Sequence, residues 1–131
     1  MNELDDIFGA YLKTIQPAEH QQKFHHLLIK IDLTLELNAY PELRNGHPSF
    51  FLNGQPIISL NASDQSIVVK PGAPALKHFG KNIETAKIKF NSESIQIPWD
   101  QEFPTNLVNS FIKFNEANIL DNAEGIDHAE D

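Results

Sequence analysis

Few residues in this chain stand at spacings that perform chemistry. His47 and Ser49 are a local Ser/His pair. At i and i+2 of a strand they would share a face, where an imidazole can take a hydroxyl proton. No third group that would orient the imidazole is legible, so loop packing is the better explanation of the pair. There is no cysteine, and no Gly-x-Ser-x-Gly elbow. No glycine-rich loop precedes Lys-Ser or Lys-Thr, so a phosphate cradle of that kind is missing. Catalysis therefore has no positive support in the sequence, and the expectation is a protein that is not an enzyme.

Cation binding has more material. Glu3, Asp5 and Asp6 crowd one short stretch, and a ridge of carboxylates suits hard divalent ions. The same acids also favour the dipole of a helix that starts there. Asp121, Glu124 and His128 would align on one helix face, giving oxygen and imidazole donors together. Gly125 weakens that helix, and a plain acidic tail is the better explanation of the residues. His25 and His26 are adjacent on a helix and point apart, as solvated surface residues do. Glu19 and Lys23 form an ordinary i, i+4 pair. Trp99, with Phe103 near it, can plug the edge of a core or wall a ligand site.

The elements that must hold these groups follow from periodicity. Leu4, Ile7, Phe8, Tyr11, Leu12 and Ile15 mark one stripe of an amphipathic helix over 4–15. Pro17 suits the start of a second helix, where its missing N–H costs nothing. Phe24, Leu27, Leu28, Ile31 and Leu35 continue it to about residue 38, although Leu33, Leu35 and Leu37 also alternate as a strand would. Pro41 and Asn45-Gly46 end the helical region. From Ser49 to Lys70 the period becomes two: Phe50 and Leu52, the Asn53-Gly54 turn, then Ile58, Leu60 and Ala62. The Ser63-Asp64-Gln65 turn follows, then Ile67 and Val69.

Pro71-Gly72 stops this meander. Ala73 to Phe79 reads as a short helix closed by Gly80. Ile88 with Phe90, and Ile95 with Ile97, predict a hairpin around Asn91-Ser92. Pro104-Thr105 opens a last helix to 116, with Leu107, Val108, Phe111 and Ile112 inward. Residues 1–116 thus form one domain, and 117–131 an acidic tail, either a helical extension or a flexible end. Segregated helices and strands argue for an α+β fold with an antiparallel sheet of five or more strands.

The chain has 131 residues and a formal charge of −8. One domain of that size buries a core without staples. An acidic surface disfavours nucleic acid, which is held by clustered Lys and Arg. No apolar stretch is long enough to span a membrane, and the acidic start does not resemble a secretion signal. A cytoplasmic location is expected.

From about Asp6 to Glu116 the sequence resembles the YdhG-like family of small bacterial proteins. Members carry Gly-Met-Pro-Ala-Phe and then Leu-Asn-Gly-Lys; here Gly46-His47-Pro48-Ser49-Phe50 and Leu52-Asn53-Gly54-Gln55 stand in those places. Ile67-Val68-Val69-Lys70-Pro71, Ala75-Leu76-Lys77-His78-Phe79, Ile95-Gln96-Ile97-Pro98 and Pro104-Thr105-Asn106-Leu107 resemble later family segments in order. The family's Tyr-Lys-Thr-Ser-Lys-Gly is here Ile88-Lys89-Phe90-Asn91-Ser92-Glu93, which keeps Lys89 and loses a lysine and a glycine.

The resemblance implies a frataxin-like α+β sandwich, with helices on one face of an antiparallel sheet. It also implies weak handling of ferrous iron (Fe2+) as an iron-chaperone-like accessory, with iron-cluster or haem assembly proteins as partners. Glu3, Asp5 and Asp6, with Glu19, are the carboxylates available for that role. The alternative is a module binding a non-metal ligand or a protein in a groove near Gly46–Phe50 and Lys89. There His47 and Lys89 would border the groove, and Phe50 or Trp99 would wall it.

Overall fold

The computed structural model describes residues 3–129, with side chains described from 4 to 122. Helix α1 (Glu3–Leu12) leads into α2 (Ala18–Thr34). Four strands follow: β1 (Tyr40–Arg44), β2 (His47–Leu52), β3 (Gln55–Ala62) and β4 (Ser66–Lys70). Two short helices, α3 (Ala73–His78) and α4 (Gly80–Thr85), lead to β5 (Lys89–Phe90) and β6 (Ile95–Pro98). Helix α5 (Thr105–Ala129) closes the chain and continues past residue 116 without a break. Among the described residues no helix is long and apolar enough to cross a membrane.

The strands make one antiparallel sheet of six, in the order β1-β2-β3-β4-β6-β5. The α+β class and the antiparallel sheet are as the periodicity predicts. Alternation along each strand sorts side chains to opposite faces. Phe50, Ile58, Leu60, Ile67, Val69, Ile95 and Ile97 fall on one face and are fully buried. They join Leu4, Phe8, Phe24, Leu28, Ile31, Ala75, Ile83, Val108, Phe111 and Ile112 in one core, so all five helices serve that face. Of the positions expected inside, Tyr11 and Leu107 are half-buried. Phe8 meets Phe50 edge to face at 5.8 Å, which locks α1 to the sheet.

Three departures from the sequence reading have physical causes. Helix α2 stops at Thr34, not near 38, and Leu33 and Leu37 lie 79% and 95% exposed. The buried Glu116 carboxylate accepts the Glu36 N–H at 2.7 Å and so holds the chain leaving the helix. Asn45-Gly46 does not end a helical region but turns the β1–β2 hairpin. Asn45 and Gly46 sit at φ 55° and 78°, as Asn53 and Gly54 do at 53° and 76°. Both pairs supply the left-handed conformations that a two-residue hairpin needs. Strand β1 itself lacks an alternating stripe and carries Pro41, features of an edge strand. Finally, Gly80 does not simply close a helix; α4 begins at it and delivers Ile83 to the core.

Helix α5 is fastened by polar contacts as well as by packing. Asn115 Nδ2 donates to the carbonyls of Ile57 and Pro71, both at 2.7 Å. The register between β2 and β3 skips Ile57, so its carbonyl needs a partner from outside the ladder. Phe111→Ala should destabilise the protein by about 3–5 kcal/mol in urea unfolding. Asn115→Ala should cost about 1–3 kcal/mol, because two carbonyls lose their donor.

Candidate functional site

Burying Ile67, Val69, Ile95 and Ile97 leaves their neighbours on the opposite face of the sheet. There Ser66 pairs with Pro98, while Val68 pairs with Gln96 and Gln96 with Lys89. These side chains, with the Ser63-Asp64-Gln65 turn, line a hollow of about 660 Å3. Its floor is apolar at Val68 and Pro98. Its lining also offers hydroxyls, two amides, the Lys89 ammonium and the Asp64 carboxylate. Gln96 is held by a hydrogen bond from its Nε2 to Ser94 Oγ at 2.7 Å. Ser94 is fixed in turn by Asn91, whose Oδ1 accepts the Ser94 N–H at 2.9 Å.

A second hollow, about 410 Å3, adjoins this groove across Asp64 and Gln65. Trp99 and His20 form its wall, their rings stacked at 4.1 Å and 6°. Trp99 is built in rather than free: its Nε1 donates to Ser63 O at 2.8 Å. Lys23 Nζ donates to the carbonyls of Trp99 and Gln101 at 2.7 and 2.9 Å. The indole therefore ties β6, the β3–β4 turn and α2 together. His20 Nδ1 is a buried atom with no hydrogen-bond partner.

The expected grouping of His47, Phe50, Lys89 and Trp99 does not survive as one groove. Phe50 is 0% exposed, packed in the core on the helix face, and cannot wall a surface site. His47 on β2 and Lys89 on β5 are separated by β3, β4 and β6. Four strand spacings of ~4.8 Å put them roughly 19 Å apart across the sheet. The sequence resemblance placed both segments on the rim but carried no strand order. Lys89 and Trp99 do border adjoining hollows, with Asp64 and Gln65 between them.

His47 and Ser49 do not make a nucleophile–base pair. Ser49 is buried, and its hydroxyl lies 3.1 Å from His47 O and 3.0 Å from Ser59 Oγ. The imidazole instead meets the Tyr11 ring edge to face at 6.5 Å. Burial, and then the nearby Lys70 charge, lower the His47 pKa below its ordinary value. The unfolded state therefore binds more protons between the two pKa values. Stability from this residue is complete above the unfolded value, ~6.5, and is lost as pH falls through the folded one. In an NMR titration His47 should titrate below ~6.5, and Lys70→Gln should move it upward.

The metal candidates are spread out. Asp5 Oδ1 lies 2.8 Å from His25 Nε2, so these residues form a pair between α1 and α2 and His25 is not merely solvated. Asp6 is exposed. The Glu3 side chain lies outside the described residues, as do those of Glu124 and His128; Asp121 is exposed. Among the described residues no group of three or more His, Cys, Asp or Glu side chains could hold a metal ion.

An antiparallel sheet with helices on one face and a grooved second face defines a small α+β fold. That fold is shared with a crystal structure of a DUF1801-family protein, YdhG, from Bacillus subtilis. The two are 28% identical, superpose with a TM-score of 0.82, and match over 91% of this chain and 93% of the other. No protein-family model matches the chain, and no curated protein does.

Sequence reasoning missed the Ser63–Ser66 turn, Val68 and Gln96 as site residues. A signal was present for Ser66, Val68 and Gln96, which are outward neighbours of buried residues in period-two strands. Cross-strand pairing, which brings them together, has no local signature.

Proposed function

We propose that the chain is a YdhG-like (DUF1801) protein that works by binding rather than catalysis, holding a small ligand on the open face of its sheet. The observation that carries this reading is the convergence of Ser66, Gln96 and Lys89 over the Val68–Pro98 floor in a hollow of about 660 Å3. Small-molecule sites commonly span roughly 300–1,000 Å3, with a few polar groups above an apolar surface. The likeness to YdhG over nine-tenths of both chains supports the family assignment. A cytoplasmic location goes with this reading.

The binding test is fragment screening by NMR shift mapping. Hits should cluster at residues 63–68 and 87–98. Hits confined to α1 would remove the groove from consideration.

A second reading is weak ferrous-iron binding in the service of iron-cluster or haem assembly proteins. The Asp5–His25 pair favours it, since a carboxylate oxygen and an imidazole nitrogen stand 2.8 Å apart beside Asp6. Iron would be cargo here, not a resident cofactor. Two donors fall well short of the roughly six that hard cations take, so water would supply the rest and affinity would be micromolar or weaker. Anaerobic Fe2+ titration tests this directly. Charge reversal of Glu3, Asp5 and Asp6 together should abolish the signal, and an unchanged isotherm would exclude α1 as the site.

A further inference from the structure

The net charge of −8 conceals a strong internal asymmetry. Five of the ten basic residues, Lys70, Lys77, Lys81, Lys87 and Lys89, fall in the stretch 70–89, which holds one acid, Glu84. That stretch carries +4 and the rest of the chain −12. It runs from the end of β4 through α3 and α4 to the edge strand β5. Among the described residues the ion pairs are His25–Asp5, Arg44–Glu42 and Lys113–Glu116, so none of the five lysines is neutralised in one.

Two of these lysines belong to the grooved face. Lys89 lines the hollow and pairs with Gln96. Lys70 follows Ser66 and Val68 on the same face of β4 by two-residue alternation. Two strand spacings separate β4 from β5, so the lysine backbones stand roughly 10–12 Å apart, and long flexible side chains can converge between them. That distance is close to the Debye length of ~8–10 Å in physiological salt, so both charges act on a ligand seated there. The acids nearby are Asp64, at the opposite end of the hollow, and Glu93, in the β5–β6 turn.

Resting on the binding role proposed above, we infer that the groove takes a small, multiply charged anion bearing phosphate or carboxylate groups. Ser66 and Gln96 supply neutral polar partners, Lys89 supplies a charge in the lining, and Lys70, beyond the lining on the side toward His47, adds to the positive potential. Selection against long polyanions comes from the remainder of the molecule. A nucleic acid strand extends well beyond a Debye length from the lysines and meets a surface of net −12. A compact anion stays within the positive zone.

The test uses the full chain with pyrophosphate, citrate, glucose as an uncharged fragment, and a 12-mer of deoxythymidine. All are titrated by NMR at low salt. Pyrophosphate or citrate should shift residues 66–70, 89 and 96, and whichever binds more tightly identifies the anion class. The double variant Lys70→Gln/Lys89→Gln should weaken binding at least about tenfold, as loss of charge-assisted hydrogen bonds does. Raising the salt should weaken it too. Neither lysine is in the core, and the spectrum of the variant checks that it folds. If the uncharged fragment binds in the groove and neither anion does, the binding role stands and the anion inference falls. If nothing binds there, both fall. Tighter binding of the 12-mer than of pyrophosphate on the same residues would overturn the selection against polyanions.

Discussion

The alternation along β4 governs this molecule more than any single contact. β4 lies between β3 and β6, so both its edges are used in the ladder. Its inward residues, Ile67 and Val69, are 0% exposed, as are Ile95 and Ile97 on β6. Each such side chain contributes about 1.5–3 kcal/mol when removed from water. A one-residue slip of β4 would expose Ile67 and Val69 and bury Ser66, Val68 and Lys70 instead, and a slip of β6 would exchange Ile95 and Ile97 for Gln96 in the same way. The core therefore fixes the register, and the register fixes which residues stand together on the open face. The groove is the reverse side of the core.

What the sequence made legible follows the strength of its periodicity. The stripes at Leu4–Leu12 and Phe24–Ile31 and the alternations at Ile58–Leu60, Ile67–Val69 and Ile95–Ile97 all lie in the elements they predict. These are places where one period persists and one face is dry. β1 escaped because an edge strand need not bury an alternating set, so its turn pair, Asn45-Gly46, has no alternating strand ahead of it to mark it as a hairpin. The same two residue types at Asn53-Gly54 were legible because alternating strands flank them. Turn chemistry is local, but its interpretation depends on what stands on either side.

The site was legible only in pieces. Lys89 and Trp99 stand at adjoining hollows, yet Phe50 is core and His47 lies strands away. A residue type and its likely face can be read from local pattern. Which strand lies beside which cannot, because β6 reaches β4 only after two helices and β5 have intervened. Trp99 illustrates the same point from the packing side. The sequence leaves it as a plug for the core edge or a wall for a ligand, and the structure commits its N–H to Ser63 O and its ring to His20. A large aromatic at the end of a strand gains more from closing the core than from waiting for a ligand.

Charge follows a similar logic at longer range. A net charge of −8 describes how the protein meets a distant partner, whereas a bound ligand feels mainly what lies within a Debye length. The carboxylates of α1 and the lysines of 70–89 therefore have to be judged by their neighbours and not by the total. At α1, Asp5 is already engaged with His25, and the structure assembles no third donor among the described residues. At the groove, the Gln96 amide is held by Ser94 on a strand that is paired on both sides. Preorganised donors bind with less ordering cost than solvated side chains on a helix surface. That difference in preorganisation, rather than the abundance of acids, is the reason for proposing the open sheet face over α1 as a ligand site.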